Sequence, residues 1–123
     1  MQKDENVHTK HICLVTKAHK AIYADPITMH AGDVIEVSGK EDNWQGWIWL
    51  WCTNQQGKSG WVPRGFVTQV DGIWKAGYDY SALELSVGID ERVIALQKES
   101  GWLWCTKQNG ESGWVPAENV AAC

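Results

Sequence analysis

The sequence predicts an all-β protein made of two small β-barrels in tandem, packed against each other. Three observations carry this expectation. First, a tryptophan-rich pattern occurs twice: Trp49-Leu50-Trp51-Cys52-Thr53 with Gly57-Lys58-Ser59-Gly60-Trp61-Val62-Pro63, and again 53 residues later as Trp102-Leu103-Trp104-Cys105-Thr106 with Gly110-Glu111-Ser112-Gly113-Trp114-Val115-Pro116. Self-similarity of this length marks duplicated units. Second, short β-branched and aromatic runs alternate with Gly, Asn, Asp and Pro every 8–12 residues or so, as in small barrels and sandwiches. Third, no window carries apolar residues at helical spacing.

Taken in order, residues 1–10 are polar and aperiodic, and read as a disordered tail. Ile12-Cys13-Leu14-Val15-Thr16 reads as a strand, followed by a mixed stretch containing the turn dipeptide Asp25-Pro26. Gly32-Asp33 opens a strand at Val34-Ile35-Glu36-Val37, and Gly39 to Asn43 reads as a polar turn. Trp44 to Thr53, a turn over Asn54 to Ser59, Gly60-Trp61-Val62-Pro63 and Phe66-Val67 complete a first barrel over residues 11–69. Asp71-Gly72 is the expected linker. A second barrel over 73–121 repeats the order: Trp74 to Tyr78, Val93 to Leu96, Trp102 to Thr106, the hairpin signal Asn109-Gly110, Gly113 to Pro116, and Glu118-Asn119-Val120.

Strand alternation places Trp102 and Trp104 on one face and Leu103 and Cys105 on the other, which is the expected core face. Cys52 and Cys105 occupy the same slot in the two copies, so both read as small buried side chains. A unit of this size buries little surface for its length, and dense aromatic packing by the nine tryptophans is the expected compensation. Trp44 and Trp47 have no counterpart in the second copy and are expected at an interface between the barrels.

Composition limits function. The net charge is −4, with five basic and five acidic side chains in residues 11–69 against four and seven in 73–121. That balance opposes nucleic acid as a ligand and suits a basic partner. No apolar run reaches membrane-spanning length and no secretory leader is evident, so a cytoplasmic monomer with no membrane association is expected, its cysteines reduced. His8, His11 and Cys13 lack a fourth ligand at a recognisable interval, so no metal is expected. No nucleophile elbow, phosphate cradle or His-Glu metal signature accompanies the histidines and cysteines; neither catalysis nor a cofactor is expected.

Ala76-Gly77-Tyr78-Asp79-Tyr80, Glu84-Leu85-Ser86-Val87, Trp102 and Gly113-Trp114-Val115-Pro116 together resemble the opening, acidic-loop, tryptophan and closing motifs of SH3 domains, specifically the bacterial tandem variant SH3 group. The resemblance implies SH3-like barrels that bind an extended peptide, proline-rich or basic, between aromatic rings, with an acidic loop residue pairing a ligand Arg or Lys. Carried onto this sequence, it implies a peptide-binding site at Tyr78, Tyr80, Glu84, Trp102, Trp114 and Pro116 in the second copy. A secondary groove is implied at Trp49, Trp61, Pro63 and Phe66 in the first. Each copy departs from the pattern: Asn119 stands where the second needs an aromatic, and Lys17 and His19 stand where the first needs tyrosines. Two further functions fit the same residues. One is a structural or regulatory subunit with a permanent tryptophan interface; the other is a cell-wall or small-ligand reader.

Overall fold

A computed structural model describes residues 11–121. Its strands are β1 (His11–Val15), β2 (Thr28–Met29), β3 (Glu36–Trp44), β4 (Trp47–Thr53), β5 (Ser59–Pro63), β6 (Val67–Val70), β7 (Ile73–Ala76), β8 (Tyr80–Ser81), β9 (Arg92–Glu99), β10 (Trp102–Lys107), β11 (Ser112–Pro116) and β12 (Val120–Ala121). Single 3-10 turns, Arg64–Phe66 and Ala117–Asn119, join β5 to β6 and β11 to β12. Among the described residues there is no α-helix, so none is long and apolar enough to cross a membrane. The all-β expectation holds. The sheets are open in their hydrogen-bonded order, and no closed barrel is present among these residues.

Two compact units form, but not along the expected boundary. One comprises residues 22–83; the other combines the segment before residue 22 with residues 84 onward. The discontinuous unit carries a five-stranded antiparallel sheet in the order β11-β10-β9-β1-β12. Thus β1, the opening strand of the first sequence copy, lies between strands of the second: Ile12 pairs with Ile94, and Val15 with Val120. The continuous unit contains β3-β4-β5, the β6-β7 hairpin and the β2-β8 pair. Here β7 and β8, the opening of the second copy, pair with β6 and β2 of the first. Each unit therefore uses the other copy's opening segment.

The expected linker is correspondingly a turn. Asp71 (φ 52°) and Gly72 (φ 80°) reverse the chain between β6 and β7, which pair from Val67↔Ala76 to Val70↔Ile73. Two successive positive φ values suit the right-handed twist of a two-residue hairpin. The chain crosses between units at residues 21/22 and 83/84. The second crossing has a physical cause in its length. Five positions separate Tyr80 from Leu85, whereas eight separate the matching His19 from Ile27. A connection this short resists folding back on itself, and short hinges favour exchange of the arm they carry.

A further correction concerns Gly39 to Asn43, which lies within β3 and is not the turn. The reversal falls at Gln45 (φ 53°) and Gly46 (φ 93°), flanked by the Trp44↔Trp47 pair. Trp47 is 50 % exposed at this hairpin tip.

The core of the discontinuous unit gathers Cys13, Val15, Leu85, Val87, Val93, Ala95, Cys105 and Val115, with Leu103 and Val120 packed against it. Leu103 and Cys105 thus face inward, as alternation predicts. The continuous unit buries Ile27, Met29, Ile35, Leu50, Cys52, Val62, Val67 and Ala76. Cys52 and Cys105 are free, buried thiols, each donating to the carbonyl two residues earlier (Leu50 and Leu103) at 3.6 Å. Burial pushes both up to about 11. Cys13 departs from the expectation of reduced cysteines: it is disulfide-bonded, on a strand whose neighbour β12 brings the end of the described chain beside its start. The expected tail over 1–10 lies outside the described residues.

Candidate functional site

The two hairpins of the repeated pattern are built alike. Trp49 pairs with Pro63 and Trp51 with Trp61; Trp102 pairs with Pro116 and Trp104 with Trp114. Thr53 and Ser59 share a hydroxyl–hydroxyl bond of 2.7 Å, matched by Thr106 and Ser112 at 2.8 Å. What differs is the set of side chains that the exchanged arms bring to them.

In the continuous unit, Ala76 is buried and the Gly77 amide donates to the Phe66 carbonyl at 2.8 Å, which holds the following arm against the turn after β5. Phe66 then lies 5.2 Å from Tyr78 and 5.3 Å from Tyr80, ring centroid to ring centroid. The Tyr80 hydroxyl donates to the Trp61 carbonyl at 2.8 Å, which fixes the arm across β5. Tyr80 is therefore a buried anchor, while Tyr78 is 59 % exposed and Phe66 half-buried. Trp49 and Pro63, paired across β4 and β5 in the same unit, are buried. The rings meet tilted at 54° and edge-on at 70°, and leave the exposed Tyr78 phenol beside the half-buried Phe66. The tyrosines missing from the first sequence copy are supplied by the second.

The equivalent place in the discontinuous unit is filled from within. His19 Nε2 lies 2.9 Å from Glu84 Oε1, and its ring meets Trp102 edge-on at 5.5 Å. Asn119 is buried, its side-chain amide donating to the Ala18 carbonyl at 3.2 Å while its own carbonyl accepts from Thr16 and Lys17. Glu84, the acidic residue expected to meet a ligand cation, already holds an imidazole. Trp114 is 5 % exposed and packs against Trp104 at 5.2 Å, and Pro116 is buried.

The expected second-copy site is thus divided: Tyr78 and Tyr80 fall in one unit, Glu84, Trp102, Trp114 and Pro116 in the other. Of the secondary groove, Phe66, Pro63, Trp49 and Trp61 all share the unit of the two tyrosines. Exchange also moves charge. Residues 22–83 carry seven acidic and four basic side chains, a net of −3. Two aromatic neighbours were not assigned to a site from the sequence, Tyr23 and Trp51, which stand 5.6 Å apart; Trp51 in turn meets Trp61 at 5.1 Å. The alternation that puts Trp51 on the face of Trp49 was the available signal.

A polar cavity of about 280 Å³, lined by Thr28, His30, Asp33, Asn54, Gln55, Gln56 and Lys58, shares no residue with the aromatic cluster. Among the described residues no group of three or more His, Cys, Asp or Glu could hold a metal ion. His8, of the His8-His11-Cys13 spacing, lies outside them.

The family model described as the variant SH3 domain matches residues 12–70. The matched span runs across the first crossing, so that its opening strand belongs to one unit and its remainder to the other. No curated protein and no solved structure gives a match. The similarity points to a protein-interaction module, since SH3 domains are typically non-catalytic binding modules.

Proposed function

We propose that the protein is a non-catalytic interaction module that binds an extended peptide segment on the aromatic surface of residues 22–83. The observation that carries this reading is the approach of Phe66 to both tyrosines at 5.2 and 5.3 Å, which combines groove residues from both sequence copies. Apolar faces of this kind accept the flat rings of a polyproline II segment. The net charge of −3 on the same unit favours a peptide carrying Lys or Arg. On this reading the discontinuous unit serves as scaffold, because His19 and Asn119 occupy its equivalent surface. The Glu84, Trp102, Trp114 and Pro116 cluster is therefore assigned to structure, and Tyr78, Tyr80, Phe66, Trp49 and Pro63 to the site.

The experiment is a titration of the full chain with a proline-rich peptide bearing Arg and Lys, followed through the indole N–H and tyrosine ring NMR signals. Tyr78→Ala is expected to weaken binding by about tenfold, in line with loss of a central aromatic contact, and Trp102→Ala to leave affinity unchanged in any folded sample. Loss of binding in Trp102→Ala with retention in Tyr78→Ala would move the site to the other unit. Silence of all signals across proline-rich, basic and neutral extended peptides would overturn peptide binding itself. It would favour the structural-subunit reading.

A further inference from the structure

A second feature of residues 22–83 lies one rung further along the β4–β5 hairpin. Trp49 and Trp51 share a strand face, roughly 7 Å apart along the chain. At the second rung Trp51 meets Trp61 at 5.1 Å with planes 74° apart, and Tyr23 closes on Trp51 at 5.6 Å. The Lys40 ammonium stands over both indoles, 5.5 Å from the Trp51 centroid and 5.6 Å from that of Trp61. Lys40 reaches this point through an irregularity in β3. Val37 pairs with Cys52 and Glu41 with Leu50, so Ser38, Gly39 and Lys40 stand opposite Trp51 alone. Gly39 takes φ 90°, which a residue with a side chain adopts only with strain.

The duplicated hairpin supplies an internal control. Trp104 and Trp114 reproduce the indole pair at 5.2 Å and 75°. There, however, β9 carries only Leu96 as an extra residue, between the Gln97↔Trp104 and Ala95↔Cys105 pairs. Trp114 is buried, whereas Trp61 is half-exposed. The indole pair alone is thus a packing unit common to both hairpins. The first hairpin adds to it the Tyr23 ring, the Lys40 ammonium and a half-exposed second indole.

From this we infer that Tyr23, Trp51 and Trp61 form a receptor for an alkylammonium group, occupied in the free protein by Lys40 and open to the lysine side chain of a partner. Two indole faces present the negative side of their quadrupoles to one point, where an ammonium is attracted, and the Tyr23 ring stands beside Trp51. Lys40 shows which chemistry the point accepts. Being tethered, it is also a competitor that any incoming lysine must displace, so occupancy by a partner is weaker than the rings alone would allow. The inference stands apart from the Tyr78–Phe66–Tyr80 surface, with which it shares no ring.

The test uses the full chain and two probes, N-acetyl-lysine-N-methylamide and its norleucine analogue, with the Trp51 and Trp61 indole N–H signals as readout. Lys40→Ala is expected to bind the lysine probe about three- to tenfold more tightly than the parent, from removal of the internal cation. Lys40→Arg should bind as weakly as the parent, and the norleucine probe should leave both indoles unmoved throughout. Adding Tyr78→Ala to Lys40→Ala should not change the response. Lack of any gain in Lys40→Ala, or equal shifts with norleucine, overturns the receptor. Loss of the response with Tyr78→Ala would assign it to the peptide surface instead.

Discussion

The two units contain the same hairpin and end with different surfaces. Paired rungs, buried thiols, the threonine–serine hydroxyl bond and the proline that leads into a 3-10 turn are matched almost position for position. Pro63 and Pro116 adopt φ/ψ of −58°/136° and −57°/133°. Above these frameworks one unit holds Tyr78, Tyr80 and Phe66, and the other holds His19, Glu84 and Asn119. The first set leaves a phenol and a phenyl ring towards solvent. The second forms a hydrogen-bonded plug. Equal frameworks therefore do not imply equal sites: what an exchanged arm brings to the framework determines whether its surface is open or filled.

The matching glycines of the hairpins sharpen this contrast most. A Cβ at Gly113 would lie 2.7 Å from the Glu84 carbonyl carbon and 2.8 Å from the Leu85 nitrogen, both backbone atoms that cannot turn aside. At Gly60 the nearest atoms are side-chain carbons, Ile27 Cγ2 at 3.0 Å and Ala82 Cβ at 3.1 Å. Gly113→Ala is expected to cost about 2–4 kcal/mol and Gly60→Ala about 1 kcal/mol in urea unfolding. Equal costs would show that the Glu84–Leu85 backbone does not rest against Gly113 as the structure places it.

The thiols test what the units share. Burial raises both from 9.0 to about 11, so the folded protein holds their protons more tightly than the unfolded chain. Their contribution to stability is therefore intact below pH 9 and declines as pH rises towards 11. Alkaline unfolding should be shallower in Cys52→Ala and in Cys105→Ala, by similar amounts. At pH 8 both thiols should resist iodoacetamide until the chain unfolds. Rapid alkylation of one alone would break the equivalence of the two cores.

The smallest expected effect concerns how each arm is fastened. Tyr80→Phe removes the 2.8 Å bond to the Trp61 carbonyl and should cost about 1 kcal/mol. Glu84→Gln keeps an acceptor for His19, both side chains being about 15 % exposed or less, and should cost less than about 1 kcal/mol. A reversal of that order would make the His19–Glu84 contact the tighter fastening.

Much of this is legible in the amino-acid sequence. Leu103 and Cys105 face the core because alternation has a period of two. The reversals at Gly57 (φ 83°) and Gly110 (φ 94°) follow from glycines, which tolerate unusual backbone angles. The aromatic residues that the SH3 resemblance implies for a groove were also visible, but scattered, with tyrosines in one copy and the phenylalanine in the other. Gly39 to Asn43 reads as a turn because a polar, glycine-containing run resembles one, yet it lies within β3. As an exposed strand with an irregularity it satisfies the same composition.

The local pattern by itself determined the elements, the inward residues of each hairpin and the duplication, since these rest on interactions within a few residues or across one hairpin. Which opening strand joins which sheet was decided by the tertiary structure alone. Both β1 and β7 are short apolar strands able to pair at either edge, so periodicity does not distinguish their partners. The short Tyr80-to-Leu85 connection disfavours return of the arm to its own copy, and the resulting exchange places Tyr78 and Tyr80 beside Phe66.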